Sequence, residues 1–156
     1  MIIVRKAKTE DAKQIKDLCF ELMLRFEKMD PFDAQDKKYW KTKAVADFKK
    51  LIRKRNSNFF VLEENKKLIG FIETAINKRE YAKIKENGHI ELLYIKPKHR
   101  GKGYSKRLME ESIRWFEQRK TKYVTVGTHA LDKGANSFWE KHGFKDYNLK
   151  YVKTIQ

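Results

Sequence analysis

The sequence predicts a single mixed α/β domain, and three observations carry that expectation. Apolar runs of strand length alternate with stretches of helical spacing in the order β-α-α-β-β-β-α-β-α-β. Two of the runs, Phe59 to Glu63 and Leu68 to Ala75, flank the polar turn Glu64-Asn65-Lys66-Lys67 and form a hairpin. Residues 89 to 128 read strand, loop, helix, strand, a crossover that sets its two strands parallel. The 156 residues suit one domain with a real core, and they hold no repeat, linker or low-complexity segment. The expectation is one domain over residues 1–156.

Each element has its own signal. Ile2-Ile3-Val4-Arg5 is a short strand. Thr9-Glu10-Asp11 is a helix start, with a capping Thr and acids in the first turn; Ile15, Leu18, Cys19, Leu22 and Phe26 follow at helical spacing. Pro31 breaks the pattern into a loop. A second helix carries Ala44, Val45, Phe48, Leu51 and Ile52 and ends at Asn56-Ser57-Asn58. The hairpin comes next, then a charged loop from Asn77 to Asn87. His89 to Ile95 is the most apolar strand and therefore central. Leu108, Met109, Ile113, Trp115 and Phe116 mark a long helix. Tyr123 to Thr128 is a strand, Asn136 to His142 a short helix stopped by Gly143, and Tyr147 to Ile155 a last strand.

Charge narrows the partners. The chain has 37 Lys+Arg against 21 Asp+Glu, a formal net charge of +16. That balance favours anions, whether nucleotides, nucleic acid, acidic membranes or acidic proteins, and does not choose among them. The lone Cys19 excludes an intrachain disulfide and fits a reducing compartment. Neither a leader pattern nor an apolar run of about 20 residues is visible. The expectation is a cytoplasmic protein without a membrane anchor. His89, His99, His129 and His142 lack metal-ligand spacing, so no metal is expected.

The segment IKPKHRGKGYSKRLME, from Ile95 to Glu110, is the most informative stretch. A loop that leaves a buried strand and opens a helix offers unpaired N–H groups at the positive end of a dipole, which is a phosphate site. Gly101 and Gly103 allow positive φ there. Lys98, His99, Arg100, Lys102, Lys106 and Arg107 add charge at the rim. Spacing excludes a Walker loop. It also excludes a dinucleotide fingerprint, because Lys106 stands where the third glycine belongs.

Leu92 to Met109, an apolar strand with Pro97 two residues after it and then Arg100-Gly101-Lys102-Gly103-Tyr104-Ser105, resembles the acetyl-CoA-binding motif of the GNAT N-acetyltransferase superfamily. Ser105 departs from the usual Gly or Ala. ANSFWEKHGF, from Ala135 to Phe144, resembles the family's last-helix segment, and RKAKTEDAKQI its opening. The resemblance runs over nearly the whole chain. It implies an α/β (α+β) fold with a central, mixed, mostly antiparallel sheet flanked by about four helices. A parallel strand pair would stand at the acetyl-CoA cleft. Acetyl-CoA would lie along Leu93, Tyr94 and Ile95, with its pyrophosphate on the N–H groups of Arg100, Gly101, Lys102, Gly103, Tyr104 and Ser105. Trp139 and Asn136 would reach the pantetheine, although the family's frequent Asn falls nearer Asp132 in register.

Acetyl transfer needs a neutral amine. Deprotonating a lysine-like amine at pH 7 costs roughly 4–5 kcal/mol, an α-amine only about 1 kcal/mol, so a base matters most for the former. Glu91, a carboxylate inside HIELLYI, is the first candidate base because an unpaired buried carboxylate is costly; Glu73 is the second. Many family members place a Tyr general acid where this chain has Trp139, and an indole N–H cannot supply that proton. Tyr94, Tyr104, Tyr147 or water remain for it, with His129 as a further proton carrier. Glu27, Asp30, Asp33 and Asp36 crowd the loop that in this family borders the acceptor. Asp30 and Asp33 are thus expected to attract an amine. Two other readings stand beside the enzyme: a basic nucleic-acid-binding module, and an idle acetyl-CoA sensor on the same fold. Monomer and homodimer are both open.

Overall fold

The structure is a computed structural model that describes residues 1–155. Its strands are β1 (Ile2–Lys6), β2 (Ser57–Glu64), β3 (Lys67–Lys78), β4 (Glu86–Ile95) and β5 (Val124–Val126). Its helices are α1 (Ala12–Met29), α2 (Lys37–Thr42), α3 (Ala44–Arg53), α4 (Tyr104–Gln118) and α5 (Lys133–Lys141). The strands form one sheet in chain order, antiparallel except for the parallel pair β4–β5. The crossover through α4 enforces that exception, because only a long connection can bring a strand back parallel.

Both faces of the sheet are covered. Ile15, Leu18, Leu22 and Phe48 of α1 and α3 bury Phe59, Val61 and Phe71 on one face. Leu108 and Phe116 of α4 and Trp139 of α5 bury Leu62, Ile72 and Ile90 on the other. The β2–β3 hairpin turns through Asn65 and Lys66, both at positive φ (49° and 63°). Asp11, rather than Thr9, organises the entry to α1. Its carboxylate accepts the Lys8 N–H at 2.7 Å and two Arg5 guanidinium bonds at 2.7 and 2.9 Å. A short side chain three residues into the turn reaches those donors, and the Thr9 hydroxyl is not needed.

Three expectations change. The loop after Pro31 contains an extra short helix, α2, capped by Asp36, whose carboxylate accepts from the Lys38 and Tyr39 N–H groups. The charged loop shrinks to residues 79–85 because β3 and β4 extend as a polar ribbon past the core. The expected last strand does not form: residues 145–155 have no regular structure, and Tyr147, Leu149 and Tyr151 stand exposed. Alternation predicts a strand only where a sheet edge is there to receive it, and the neighbouring edge strand β5 spans three residues.

Candidate active site

The register of β4 creates the site. Glu73 pairs with Leu92 while the next residue of β3, Thr74, pairs with Ile90, so Glu91 is the extra residue of a bulge. On its other side β4 pairs with β5 only from Gly88↔Val124 to Ile90↔Val126. Beyond that point the strands part, and the β4 backbone from Glu91 onward makes no ladder bond to β5. The wedge between them is a cleft of about 370 Å³ lined by Ile90 to Ile95 on one wall and Val126 to His129 on the other. Leu22, Arg25 and Phe26 of α1 and Phe138 and Trp139 of α5 complete it.

The glycine loop closes one end. Gly101 and Gly103 hold φ of 74° and 78°, and a Cβ at either would touch no protein atom. The demand for glycine is therefore conformational: the left-handed region is the constraint. Gly103 caps α4, whose first backbone bond runs from the Arg107 N–H to the Gly103 carbonyl. That leaves the N–H groups of Tyr104, Ser105 and Lys106 free at the positive end of a 15-residue helix. Arg100 turns back instead of out. Its Nε donates to the Ile95 carbonyl at 2.9 Å and its guanidinium lies 5.5 Å over the Tyr94 ring.

Of the residues expected at the site, Glu91, Leu93, Tyr94, Ile95, Arg100, Ser105 and Trp139 line the cleft. Gly101, Lys102, Gly103 and Tyr104 form its rim without lining it. Glu91 keeps 41% of its side chain exposed and lies 3.7 Å from His89 Nε2. Glu73 does not line the cleft: only 9% exposed, it points to the α1 face with its partners Phe59 and Leu92. Burial pushes its carboxyl up to about 7, and the negative charge of Glu91 adds to the shift. Asn136 holds the β5–α5 loop, donating to the His129 and Ala130 carbonyls at 3.3 Å and accepting from the Thr128 hydroxyl.

Of the three tyrosines, Tyr94 lines the cleft and Tyr104 and Tyr147 do not. Tyr94 donates to Glu21 at 2.8 Å, and burial together with that carboxylate pushes its hydroxyl up to about 12. Tyr104 lies outside the lining, under the Arg107 guanidinium. Tyr147 is exposed on the irregular segment. Trp139 packs edge-on against Phe138 and Phe144, with centroids at 4.9 and 5.1 Å.

The opposite wall is made of side chains that the sequence does not bring together. Arg25 of α1 reaches Asp132, 107 residues away, at 2.7 Å. Asp132 is 5% exposed and also caps α5 through the Ala135 N–H. His129 accepts the Leu131 N–H on Nδ1, stacks on Phe26 at 6.3 Å and turns Nε2 toward Asp33 at 3.8 Å. Of the loop acids, Glu27 accepts the Gln35 N–H and Asp30 the Phe32 N–H, so with Asp36 they are turn and cap groups; Asp33 is the one facing a cleft residue. Arg25 and Phe26 share a helical stripe with Leu22, a signal that marks a buried face but not what it faces.

A bulge thus parts two parallel strands, and a glycine loop opens a helix beside the gap. The chain belongs to the Acetyltransferase (GNAT) family, whose sequence profile matches residues 18–144. A curated relative, an uncharacterized N-acetyltransferase of Methanocaldococcus jannaschii, is 32% identical over 133 residues, 77% of this chain and 56% of that protein. The chain thus spans little more than half the length of that relative. The fold is shared with a Bacillus halodurans protein solved as a tetramutant (14% identity, TM-score 0.87, 98% and 99% of the two chains). It is shared too with a ribosomal-protein-alanine N-acetyltransferase of Brucella melitensis (15%, 0.70, 99% and 100%). Aminoglycoside N-acetyltransferase AAC(6')-Iy, solved with CoA, is a third such structure (13%, 0.74, 99% and 95%). Among the described residues no helix is long and apolar enough to cross a membrane, and no cluster of His, Cys, Asp or Glu could hold a metal ion.

Proposed function

We propose that the protein transfers an acetyl group from acetyl-CoA to a primary amine by direct attack within a ternary complex. The parting of β4 from β5 after Ile90 and Val126 carries this reading. It leaves a strand edge free beside three unpaired helix N–H groups, which matches a ligand with an amide-bearing arm and a pyrophosphate. Leu93, Tyr94 and Ile95 would pair with the arm, and the Gly101–Ser105 backbone would hold the phosphates. The open space around both glycines leaves room for that approach.

Glu91 is the base. It alone among the carboxylates lining the cleft lacks a hydrogen bond to a backbone N–H or a guanidinium, since Asp132 is bound to Arg25 and to the α5 N-terminus. The bulge frees Glu91 from the regular ladder. Glu73, buried on the α1 face and coupled to the charge of Glu91, is the second candidate and would hold a proton or a charge behind it. As the amine's C–N bond forms and the thioester's C–S bond breaks, Glu91 takes the amine proton. His129 on the opposite wall, with Asp33 behind it, or water returns a proton to the leaving CoA thiolate. Asp33 and Asp30, at the end of α1, border the side from which a cationic amine enters. A small amine and a protein lysine or N-terminus both meet these requirements. The setting expected from the single buried thiol is the cytoplasm.

Thermal unfolding with and without acetyl-CoA tests this, beside a Gly103→Glu variant. At about 100 times its dissociation constant the ligand adds roughly 2.7 kcal/mol, several degrees for a domain this size. The shift is expected in the parent and absent in the variant. A well-folded parent without a shift would sink the reading.

A further inference from the structure

The end of the molecule away from the glycine loop carries its own feature. Three segments distant in sequence converge there: residues 53–57 between α3 and β2, residues 77–88 between β3 and β4, and residues 117–124 between α4 and β5. Backbone bonds tie them. The Ile76 N–H donates to the Asn56 carbonyl at 2.8 Å, and the Gly88 N–H to the Tyr123 carbonyl at 2.9 Å. The Arg119 guanidinium donates to the Arg55 carbonyl at 3.3 Å and lies 4.4 Å over the Trp115 ring.

Ten exposed cations gather on these segments: Arg53, Lys54, Arg55, Lys78, Arg79, Lys83, Lys85, Arg119, Lys120 and Lys122. Three acids oppose them, Glu80, Glu86 and Glu117. The excess of seven is nearly half of the whole chain's +16. Two aromatic rings stand among the cations: Tyr81, fully exposed, and Tyr123, 58% exposed. The reaction cleft does not use this surface, because its lining begins at Ile90 and Val126. The glycine loop is roughly 20 Å off, at the other end of α4.

We propose that this basic end is a docking surface for single-stranded nucleic acid, held at phosphates by the cations and at bases by Tyr81 and Tyr123. Charge alone fits any polyanion. The exposed rings select among them, because stacking on aromatic side chains among cations is how unpaired bases are held. The surface consists of loops, strand ends and the C-terminal ends of α3 and α4, and lays no helix lengthwise for a groove, so duplex readout is disfavoured. Docking here leaves the acetyl-CoA cleft open, so an amine on a nucleic-acid-bound protein would be held near it.

The test is fluorescence anisotropy with fluorescein-labelled oligouridylate, in saturating acetyl-CoA so that the glycine loop cannot take part. A triple variant, Arg55→Glu, Arg79→Glu and Lys122→Glu, is compared with Lys37→Glu, Lys41→Glu and Lys43→Glu on and beside α2. Both sets are exposed, and far-UV circular dichroism confirms the fold. The first set should weaken binding at least tenfold and flatten the log–log salt slope by about 2; the second should change affinity less than about threefold. Tyr81→Ala with Tyr123→Ala should cost about tenfold and leave the slope unchanged. Equal losses in the two charge sets would mean only diffuse net charge, and overturn the proposal. Inert tyrosines would overturn it in favour of an acidic protein partner, and so would a parent that does not bind. These results are independent of the thermal test of acetyl-CoA binding, so either proposal can fail alone.

Discussion

The two walls of the cleft are built on different principles. The β4 wall and the glycine loop work through backbone: a bulge at Glu91, a free strand edge, two left-handed glycines and unpaired N–H groups. The wall facing it works through side chains from distant segments, with Arg25 meeting Asp132 and His129 facing Asp33. Backbone groups cannot be exchanged by substitution, whereas side-chain pairs can. With the acyl donor on the first wall and the acceptor on the second, as proposed above, acceptors could change without loss of the donor.

The largest expected effect lies where the walls meet. Glu91→Gln keeps the size of the side chain and removes the proposed base, so turnover with a lysine-like amine should fall about 100- to 10,000-fold. Acetyl-CoA affinity, read by calorimetry, should stay the same. Since an α-amine costs roughly 3 kcal/mol less to deprotonate, the loss should be smaller for an acceptor with a free N-terminus. Equal loss for both amines would remove Glu91 as the base.

Glu73 comes next, and its effect is on stability. Its folded value of about 7 lies above the ordinary 4.5 because burial and Glu91 both disfavour its charge. The folded state therefore binds the proton more tightly than the unfolded state between those values. Stability contributed by this group is present below about pH 4.5 and is lost as pH rises toward 7. Glu73→Gln should be more stable than the parent by about 3 kcal/mol at pH 8, with the difference vanishing near pH 4.5. Denaturant melts at the two pH values measure this, and a pH-independent difference would exclude the charge argument.

Gly103→Val tests the backbone principle itself. The new side chain meets open space yet cannot easily hold φ of 78°. Acetyl-CoA affinity should fall about 30- to 100-fold, while Lys102→Ala, a charge loss on the same loop, should cost less than about fivefold. The reverse ranking would mean that the loop acts through charge.

This division also explains what the sequence reveals. The glycine loop and the strand before it are contiguous, so their spacing is visible in residues 92–109. The hairpin, the βαβ crossover and both apolar faces are local patterns too. The bulge is not legible, because it depends on which residue of β3 faces which of β4, and HIELLYI reads as an unbroken strand. Arg25 and Asp132 carry no mutual signal across 107 residues. That Asp30 and Asp36 also serve as caps is not legible in the acidic cluster, since it depends on which N–H groups the turn leaves free beside these short carboxylates. The segment from Tyr147 to Ile155 alternates like a strand, but alternation does not supply the neighbouring edge.

The smallest effect is the one that separates the walls most cleanly. Arg25→Ala leaves Asp132, 5% exposed, with the Ala135 N–H as its remaining partner. Breaking a fully buried ion pair can cost 3–5 kcal/mol, but Arg25 keeps 39% of its side chain in solvent, so the loss should be nearer 1–2 kcal/mol. That is a fall in Tm of a few degrees. Pairing it with Asp132→Asn in a double-mutant cycle should show coupling of about 1 kcal/mol, because the second change removes nothing further from an already broken pair. On the kinetic side, Arg25→Ala should raise the acceptor's KM several-fold and leave the Kd for acetyl-CoA within about twofold. Additive stabilities would show that the ion pair contributes nothing. An equal rise in both ligand constants would show that the walls are one structure, and the comparison between them would fail.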